Sequence, residues 1–412
     1  MQFDLFHSIG RIDMLKPIPA DREIFRAFFE QSVLGEELGY SAMWVAESHF
    51  SSEVQKKHAK PVIPHYQGEV GLNADSCQLA QVLFSKTKKI AFGTAIHNIV
   101  GGNGGPIASA DRIRSLAYLN SMREEPRRLH IGVAAGRFPY INAPFGIIPR
   151  DETERKIWPQ VQRLIFIEAL EIFLRLIRGE TMSSSDVQGW RIDRSFFRND
   201  DEFSNAMTGI ASAQDGVASA QDGVAYRPRW NFEPIRLVPE MNESDYSAWM
   251  NFVLGSHDPL ARDHGLKFAD LDMFNLSFTP PDQLAKVHDE MHLRYRESGR
   301  TWSRSRMPRT VLVFIDKNIK RAQDMASKCF DTYIEAMRGT VVLPPKDQLM
   351  QRALIGDPAS IRDQLHPQNE RAFHSDDRLM LWFEFNQIDF ESIKNQMTLF
   401  AEQVMPYVVN RK

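Results

Sequence analysis

The sequence predicts an α/β fold, a (β/α)8 TIM barrel that forms one domain over residues 1–412 and carries one irregular insertion. Short apolar runs alternate along the chain with amphipathic helical segments, the pattern of parallel strands joined by crossover helices. The alternation occurs eight times, the number of units that closes a barrel. No Gly-x-Gly-x-x-Gly follows the first apolar run, which disfavours a doubly wound open sheet.

The first half of the chain contains four strand–helix units. The predicted strands at 3–6, 42–46, 90–94 and 129–133 are short apolar runs, as expected for buried parallel strands. The first helix places Ile24, Phe28 and Leu34 close to one face, and Gly39 is the residue type that ends a helix. The helices of this half are predicted at 21–38, 74–85, 109–119 and 154–178.

The second half repeats the pattern four times after an irregular segment. Strands are predicted at 249–254, 271–276, 310–315 and 379–385. The helices that follow them are predicted as a short one after Asp258, then 281–298, 320–337 and 390–404. The Pro-rich and polar stretch before the last strand is predicted to be a loop.

The insertion, at about residues 181–234, shows little periodicity and is rich in Ser, Asp, Gly and Asn. Within it a seven-residue unit occurs twice in tandem, at 211–217 and 218–224, which is too short for a repeat fold. Two interpretations stay open: a local duplication in a tolerant surface loop, and part of a mobile lid over the site.

Composition excludes several classes of protein. With 43% hydrophobic and 25% charged residues the chain is an ordinary globular protein, and its net charge of −3 gives no basic face for nucleic acid or anionic membrane. No apolar run has the roughly 18 residues that a spanning helix needs, and the N-terminus does not resemble a signal peptide. The two cysteines, Cys77 and Cys329, lie far apart, so a reducing, cytoplasmic location is expected.

Polar residues follow several predicted strands, at the edge where barrel enzymes place their active sites. They are His7 after the first strand, Glu47, Ser48 and His49 after the second, Thr94, His97 and Asn98 after the third, Gly136 and Arg137 after the fourth, and Gly255 and Ser256 after the fifth. Three histidines and one carboxylate are therefore predicted to converge on one mouth. His49 is the predicted acid–base residue, since imidazole titrates near neutrality, and Glu47 is expected to orient it.

Several segments, in the correct order, carry a resemblance to a known family. They are 44–50 (WVAESHF, compared with W-x-x-E-H-H-F), 87–95 (TKKIAFGTA), 129–136 (LHIGVAAG), Phe145–Gly146, 253–256 (VLGS), 356–365 (G-x-P with Ile361 and Leu365) and 400–406 (FAEQVMP). Together they resemble the luciferase-like flavin-dependent monooxygenases over residues 1 to about 406. Two positions depart from the family pattern: Ser48 replaces the first of the paired histidines, and Ala135 stands where luciferases have an arginine. These departures count against bioluminescence.

The resemblance implies an enzyme that uses reduced FMN, supplied by a separate flavin reductase, to oxidise a small organic substrate with O2. It implies a homodimer and a flavin-phosphate site at Gly255 and Ser256. The strand-end residues Thr94, Asn98, Gly136 and Arg137 are predicted to complete the cofactor site, and for Arg137 two further roles stay open, a pair with a substrate acid and a surface ion pair. Amide groups at Gly255 and Ser256, before a predicted helix N-terminus, suit an anionic phosphate. Two alternatives stay open: hydride transfer with the deazaflavin F420, and a non-catalytic flavin-binding partner subunit.

A zinc or iron site is the rival interpretation of the same residues. Glu47 and His49 lie on one side of an extended segment, and His58 and His65 follow nearby. Histidine is a common ligand of these metals, but no recognisable ligand spacing completes the set. The sequence therefore predicts no metal.

Overall fold

Eight parallel strands form the centre of the molecule in the computed structural model, which describes residues 1–11, 18–58, 61, 63–136, 138–213, 223–276, 278–340, 342–371 and 373–409. The strands are β1 Gln2–His7, β2 Ala42–Val45, β3 Ala91–Asn98, β4 Leu129–Ala134, β5 Met250–Leu254, β6 Leu271–Met273, β7 Arg309–Ile315 and β8 Arg378–Trp382. Consecutive strands pair in parallel from β1 to β6, and β8 pairs with both β7 and β1.

The ring closes between β6 and β7 through the backbone of one residue. Asn275 donates its N–H to the carbonyl oxygen of Pro308 and accepts a hydrogen bond from the N–H of Thr310, both at 3.0 Å. The predicted TIM barrel is therefore confirmed, with each predicted strand present within a few residues of its expected position.

One helix follows each strand and packs on the outside of the barrel. These helices are α1 Asp21–Glu37, α2 Ser76–Lys86, α3 Gly105–Ser121, α4 Trp158–Ile177, α5 Pro259–Gly265, α6 Pro281–Glu297, α7 Ile319–Met337 and α8 Phe390–Gln403. Shorter helices are Ser52–Gln55, Pro139–Asn142, Glu152–Lys156, Glu243–Tyr246, Lys346–Gln351, Pro358–Gln364 and Met405–Val409, and 3-10 turns lie at Ala143–Phe145, Ser184–Asp186, Arg194–Phe196 and Arg304–Arg306. None of the helices described could cross a membrane.

The apolar residues fall into an outer layer, between barrel and helices, and an inner set. Leu5 and Phe28 belong to the outer layer, which explains why the strands read as nearly continuous apolar runs. Phe6, Trp44, Val253, Phe274 and Met380 form an inner cluster with small neighbours. The inner cluster is the floor beneath the mouth of the barrel.

Two segments with little periodicity in the sequence contain regular elements in the structure. The insertion contains the helix Asp200–Ala213 and a two-stranded antiparallel sheet of Arg191–Ile192 and Val224–Ala225. The predicted loop before β8 contains the strand Leu354–Gly356, which pairs with the end of β7 and lies between two short helices. In the insertion the signal was present, because Phe203, Met207 and Ile210 have helical spacing and the last two are buried.

Two smaller differences concern the same region. The helix predicted at 154–178 is two helices, Glu152–Lys156 and Trp158–Ile177, and Pro159 lies in the first turn of the second. Most of the tandem repeat, residues 214–222, lies outside the described residues, so both interpretations of it stay predictions.

Candidate active site

Glu47 lies two residues beyond β2 and its side chain is only 1% exposed. Its two oxygens accept hydrogen bonds from groups on several loops at the mouth of the barrel. These donors are His49 Nε2 (3.0 Å), Asn98 N (3.0 Å) and Asn103 Nδ2 (2.7 Å) to Oε1, and His97 Nδ1 (2.8 Å) and Ser76 Oγ (3.3 Å) to Oε2. One buried carboxylate therefore joins the ends of β2 and β3 to the start of α2.

The charge of Glu47 is set by its neighbours. Burial raises the pKa of its carboxyl, but the imidazoles of His97 and His49 outweigh burial and hold the pKa well below its usual value. An ionised carboxylate only accepts hydrogen bonds, so the imidazole nitrogens that face it carry hydrogen. In the neutral forms His49 has its free lone pair on Nδ1, and His97 has its free lone pair on Nε2.

Close packing of a glycine-rich loop holds His49 in place. The loop, Gly101–Gly105, lies between β3 and α3. A Cβ atom on Gly102 would lie 2.7 Å from His49 Nε2, so a larger residue here would displace the imidazole. Glycine is therefore required at 102 for the close approach of backbone to ring.

Asn98 continues the polar cluster towards β4. Its Nδ2 donates to Asn142 Oδ1 at 2.8 Å, and Asn142 Nδ2 donates to the carbonyl oxygen of Ala135 at 2.7 Å. Gly136, with φ of +83°, packs directly against the Asn98 carboxamide. The ends of β3 and β4 are thus joined by side-chain amides.

The floor of the mouth is apolar, and polar atoms that lack partners lie at the ends of β2, β3 and β8. Phe6, Phe274 and Trp382 line it together with small residues. Within the described part of the chain, Ser48 Oγ, His97 Nε2 and Trp382 Nε1 are buried without a hydrogen-bond partner. Buried polar atoms in native proteins are nearly always satisfied, so these atoms indicate that a ligand or water contributes to the site.

The structure brings together Glu47, His49, His97, Asn98 and Gly136 from the predicted set. His7 lies apart from them: its ring packs against Phe28, and its Nδ1 is 3.4 Å from Glu384 Oε1. The predicted convergence of three histidines is therefore wrong for His7. An alternating strand sends successive side chains to opposite faces, and His7 faces the helix layer.

The remaining predicted cofactor residues occupy different environments. Thr94 is fully buried and its hydroxyl donates to the carbonyl oxygen of Gly132 at 2.9 Å, inside the sheet. Gly255 packs against Ile96 and Ala134 at the end of β5. Arg137 lies outside the described residues.

Ser256 precedes α5 as predicted, but Asp258 is the residue that caps the helix. The Asp258 carboxylate accepts from Leu260 N at 3.1 Å and forms a two-oxygen ion pair with Arg163, at 2.6 and 2.5 Å. Ser256 Oγ accepts from Asp258 N at 3.2 Å, which leaves the Ser256 hydroxyl hydrogen directed elsewhere.

Sequence reasoning missed the two carboxamides Asn103 and Asn142. Asn103 lies in the glycine-rich segment Gly101–Gly105, beyond the end of the third strand, where no strand or helix pattern marks it. Asn142 follows β4 by eight residues, too far along the chain for a strand-end search to find it. In the described ranges no group of three His, Cys, Asp or Glu residues could hold a metal ion.

Comparisons with known proteins agree with this fold and show the family. The sequence model of the family described as luciferase-like monooxygenase matches residues 1–375. Among solved structures, the monooxygenase RslO1 from Streptomyces bottropensis is similar, with a TM-score of 0.69, 16% identity and 99% of each chain covered. No curated protein matches the chain.

Two further solved structures differ in their cofactors. The oxygenating constituent of 3,6-diketocamphane monooxygenase from Pseudomonas putida, in complex with FMN, has a TM-score of 0.60 and 16% identity over 100% of this chain and 99% of its own. The coenzyme F420-dependent tetrahydromethanopterin reductase from Methanopyrus kandleri has a TM-score of 0.54 and 13% identity over 99% of both chains. At these identities the similarity shows a shared fold.

Proposed function

The chain belongs to the luciferase-like monooxygenase family and is an oxidoreductase, and from this premise we propose that it is a two-component flavin-dependent monooxygenase. It takes reduced FMN from a separate reductase and oxidises a small organic substrate with O2. One oxygen atom enters the substrate and the other leaves as water, so the reaction consumes the two electrons that the reduced flavin supplies.

The observation that carries this proposal is the Glu47 cluster above an apolar floor. A monooxygenase needs a dry pocket and one group that can move a proton. The inner apolar residues exclude water, and His49 is held by Glu47 with its second ring nitrogen free. His49 is the proton donor or acceptor of the proposed reaction, and Glu47 fixes its orientation.

The residues of the mouth fit a flavin. A planar apolar ring with a polar edge matches the apolar floor and the partnerless atoms Ser48 Oγ and Trp382 Nε1. Asn98, Gly136 and Gly255 would line the ring and its chain, and Ser256 would meet the phosphate. Arg137 completes the proposed cofactor set, whereas Thr94, whose hydroxyl is bonded to the carbonyl oxygen of Gly132, has no exposed surface with which to contact the cofactor.

Anaerobic titration of the purified protein with reduced FMN, and with reduced F420 in parallel, tests the proposal. We expect micromolar binding of reduced FMN and substrate-dependent O2 consumption once air is admitted. Preference for F420 with turnover in the absence of oxygen would replace the proposal with hydride transfer. Binding of FMN without turnover would indicate a non-catalytic partner subunit, and binding of neither cofactor would refute the assigned function.

A further inference from the structure

Asn103 is a buried carboxamide in the middle of the glycine-rich loop, with 5% of its surface exposed. Its Nδ2 donates to Glu47 Oε1 at 2.7 Å and to the carbonyl oxygen of Asn98 at 3.1 Å. Its Oδ1 accepts from an Arg112 guanidinium N–H at 3.0 Å. Every polar atom of this side chain is therefore engaged with the site or with α3.

The chemistry of its neighbours fixes the orientation of the amide. A carboxylate only accepts hydrogen bonds and a guanidinium only donates them, so Nδ2 must face Glu47 and Oδ1 must face Arg112. Arg112 is itself ion-paired with Asp75, the residue that caps α2. Asn103 is thus held from outside the site by a charge pair that spans two helices.

Asn103 and His49 share one acceptor, together with the backbone N–H of Asn98. Both donate to Oε1 of Glu47, His49 from Nε2 at 3.0 Å. An oxygen held from one side by a rigid donor presents a fixed lone pair to the other donor. Asn103 therefore contributes, with the Asn98 N–H, to where Glu47 holds the His49 ring.

We propose that Asn103 is a positioning residue, which locks Glu47 so that this carboxylate fixes the position of the His49 ring. The proposal rests on the proposed function for its catalytic meaning. The positioning itself concerns only the series of contacts that runs from Asp75 through Arg112, Asn103 and Glu47 to His49.

The ionisable groups that face Glu47 are few. They are His49 from its own loop, His97 from β3, Cys77 from α2 and, through Asn103, the Arg112–Asp75 pair. Burial raises the pKa of Cys77 to about 12, so this thiol stays neutral. The two imidazoles are therefore the groups whose titration should report a substitution at Asn103.

The test compares Asn103→Asp, which keeps the shape but adds a negative charge, with Asn103→Ala, which removes the donor. Asn120→Ala is the matched control, because Asn120 is a fully buried carboxamide that bonds only the backbone of Arg127 in the described structure. In ligand-free protein with labelled histidines, NMR titration follows His49, assigned by His49→Gln. For Asn103→Asp we expect the His49 midpoint to rise by about one pH unit, as for a nearby opposite charge.

In turnover assays we expect kcat of Asn103→Ala to fall on the order of tenfold to a hundredfold, because His49 is displaced from its reacting position. We expect KM to be nearly unchanged, because substrate binding is not affected. An unchanged His49 midpoint in Asn103→Asp, or an equal shift in Asn120→Ala, would overturn the proposal. If Asn103→Asp does not fold, the His49 midpoint is measured in Asn103→Ala, where a value equal to that of the wild type would overturn the proposal. The titration needs no turnover, so it decides the role of Asn103 even if the cofactor experiment refutes the proposed function.

Discussion

At the scale of single residues, Glu47 connects the two imidazoles of the candidate site. A carboxylate buried to this extent is stable only if donors surround it, and here they come from the loop after β2, from β3, from the glycine-rich loop and from α2. The same contacts select the tautomers of His49 and His97. Orientation and proton position are therefore determined together.

Replacing His49 tests its proposed role. We expect His49→Ala to lower kcat by about 10²- to 10⁴-fold, the usual contribution of a general acid or base, with reduced-FMN affinity changed only a few fold. The control is His264→Ala, because His264 forms a similar buried pair with Glu171, at 2.7 Å, between α5 and α4. Stopped-flow turnover is the measurement, and full activity in His49→Ala would remove it from the mechanism.

Ser256 gives a separate test of the phosphate end. If its hydroxyl meets the flavin phosphate, Ser256→Ala should weaken binding of reduced FMN by roughly 1 to 3 kcal/mol, the range for hydrogen bonds to charged groups. Equilibrium titration under anaerobic conditions measures this. Riboflavin, which lacks the phosphate, should bind the variant and the wild type equally, and unchanged FMN affinity would take Ser256 out of the site.

At the scale of elements, the insertion touches the glycine-rich loop through Trp230. A Cβ atom on Gly105 would lie 2.8 Å from Trp230 Nε1, and Gly105 has a φ of +87°. Trp230 of the insertion therefore packs against one end of the glycine-rich loop. The middle of the same loop contacts Glu47 and His49. This contact links a segment of irregular sequence to the candidate site.

Gly105→Ala should disturb the contact between Trp230 and the glycine-rich loop. Both Gly105→Ala and Gly39→Ala impose a left-handed backbone on alanine, which costs about 1 to 3 kcal/mol of stability in each case. Gly39 has a φ of +86° but no atom within 4 Å of an added Cβ. We therefore expect a fall in kcat beyond any change in stability only for Gly105→Ala, and equal kcat values in the two variants would contradict the coupling.

A cluster of charges anchors the other side of the insertion. Glu154 is the shared acceptor: Arg150 Nε lies 2.8 Å from it, Arg229 2.6 Å and Arg227 3.0 Å. Burial raises the pKa of Glu154, but Arg150 and Arg229 outweigh burial and hold it at about 2. The insertion is fastened to the barrel by this carboxylate while it is ionised.

The depressed pKa of Glu154 predicts a pH dependence of stability. A carboxyl whose folded pKa is below its unfolded value stabilises the fold above the unfolded value, here 4.5, and loses that contribution as the pH falls towards about 2. Glu154→Gln should therefore unfold more easily than wild type at pH 7, with a smaller difference at pH 3. Urea unfolding at both pH values measures this, and a difference independent of pH would contradict it.

At the scale of the whole molecule, a polar network fills the inside of the barrel below the floor. Asp4 accepts hydrogen bonds from Trp44 Nε1 at 2.7 Å and from Arg378 Nε at 2.5 Å, and Arg378 also lies 2.8 Å from His130 Nε2. These groups come from β1, β2, β4 and β8. They tie together opposite sides of the closed ring.

Asp4→Asn should destabilise the protein strongly, because it leaves the buried Arg378 guanidinium without its counterion. We expect a loss of about 3 to 5 kcal/mol in the free energy of unfolding. Glu335→Gln is the control, since its pair with Arg338 is exposed and should contribute less than about 1 kcal/mol. Equal losses in the two variants would show that the interior pair does not hold the barrel.

The sequence alone determined the order, number and kind of the barrel elements, because strand and helix patterns depend on local spacing of apolar residues. It also placed Glu47, His49, His97 and Asn98 near one another, since parallel strands end at the same edge. Only the tertiary structure decided on which face of the barrel sheet the His7 side chain lies, and which residues from distant loops complete the site. Asn103 and Asn142 join it through contacts between loops, and no local spacing encodes such contacts. The physical reason is that hydrogen bonds between loops depend on three-dimensional packing of whole elements, whereas periodicity records only which side of one element is buried.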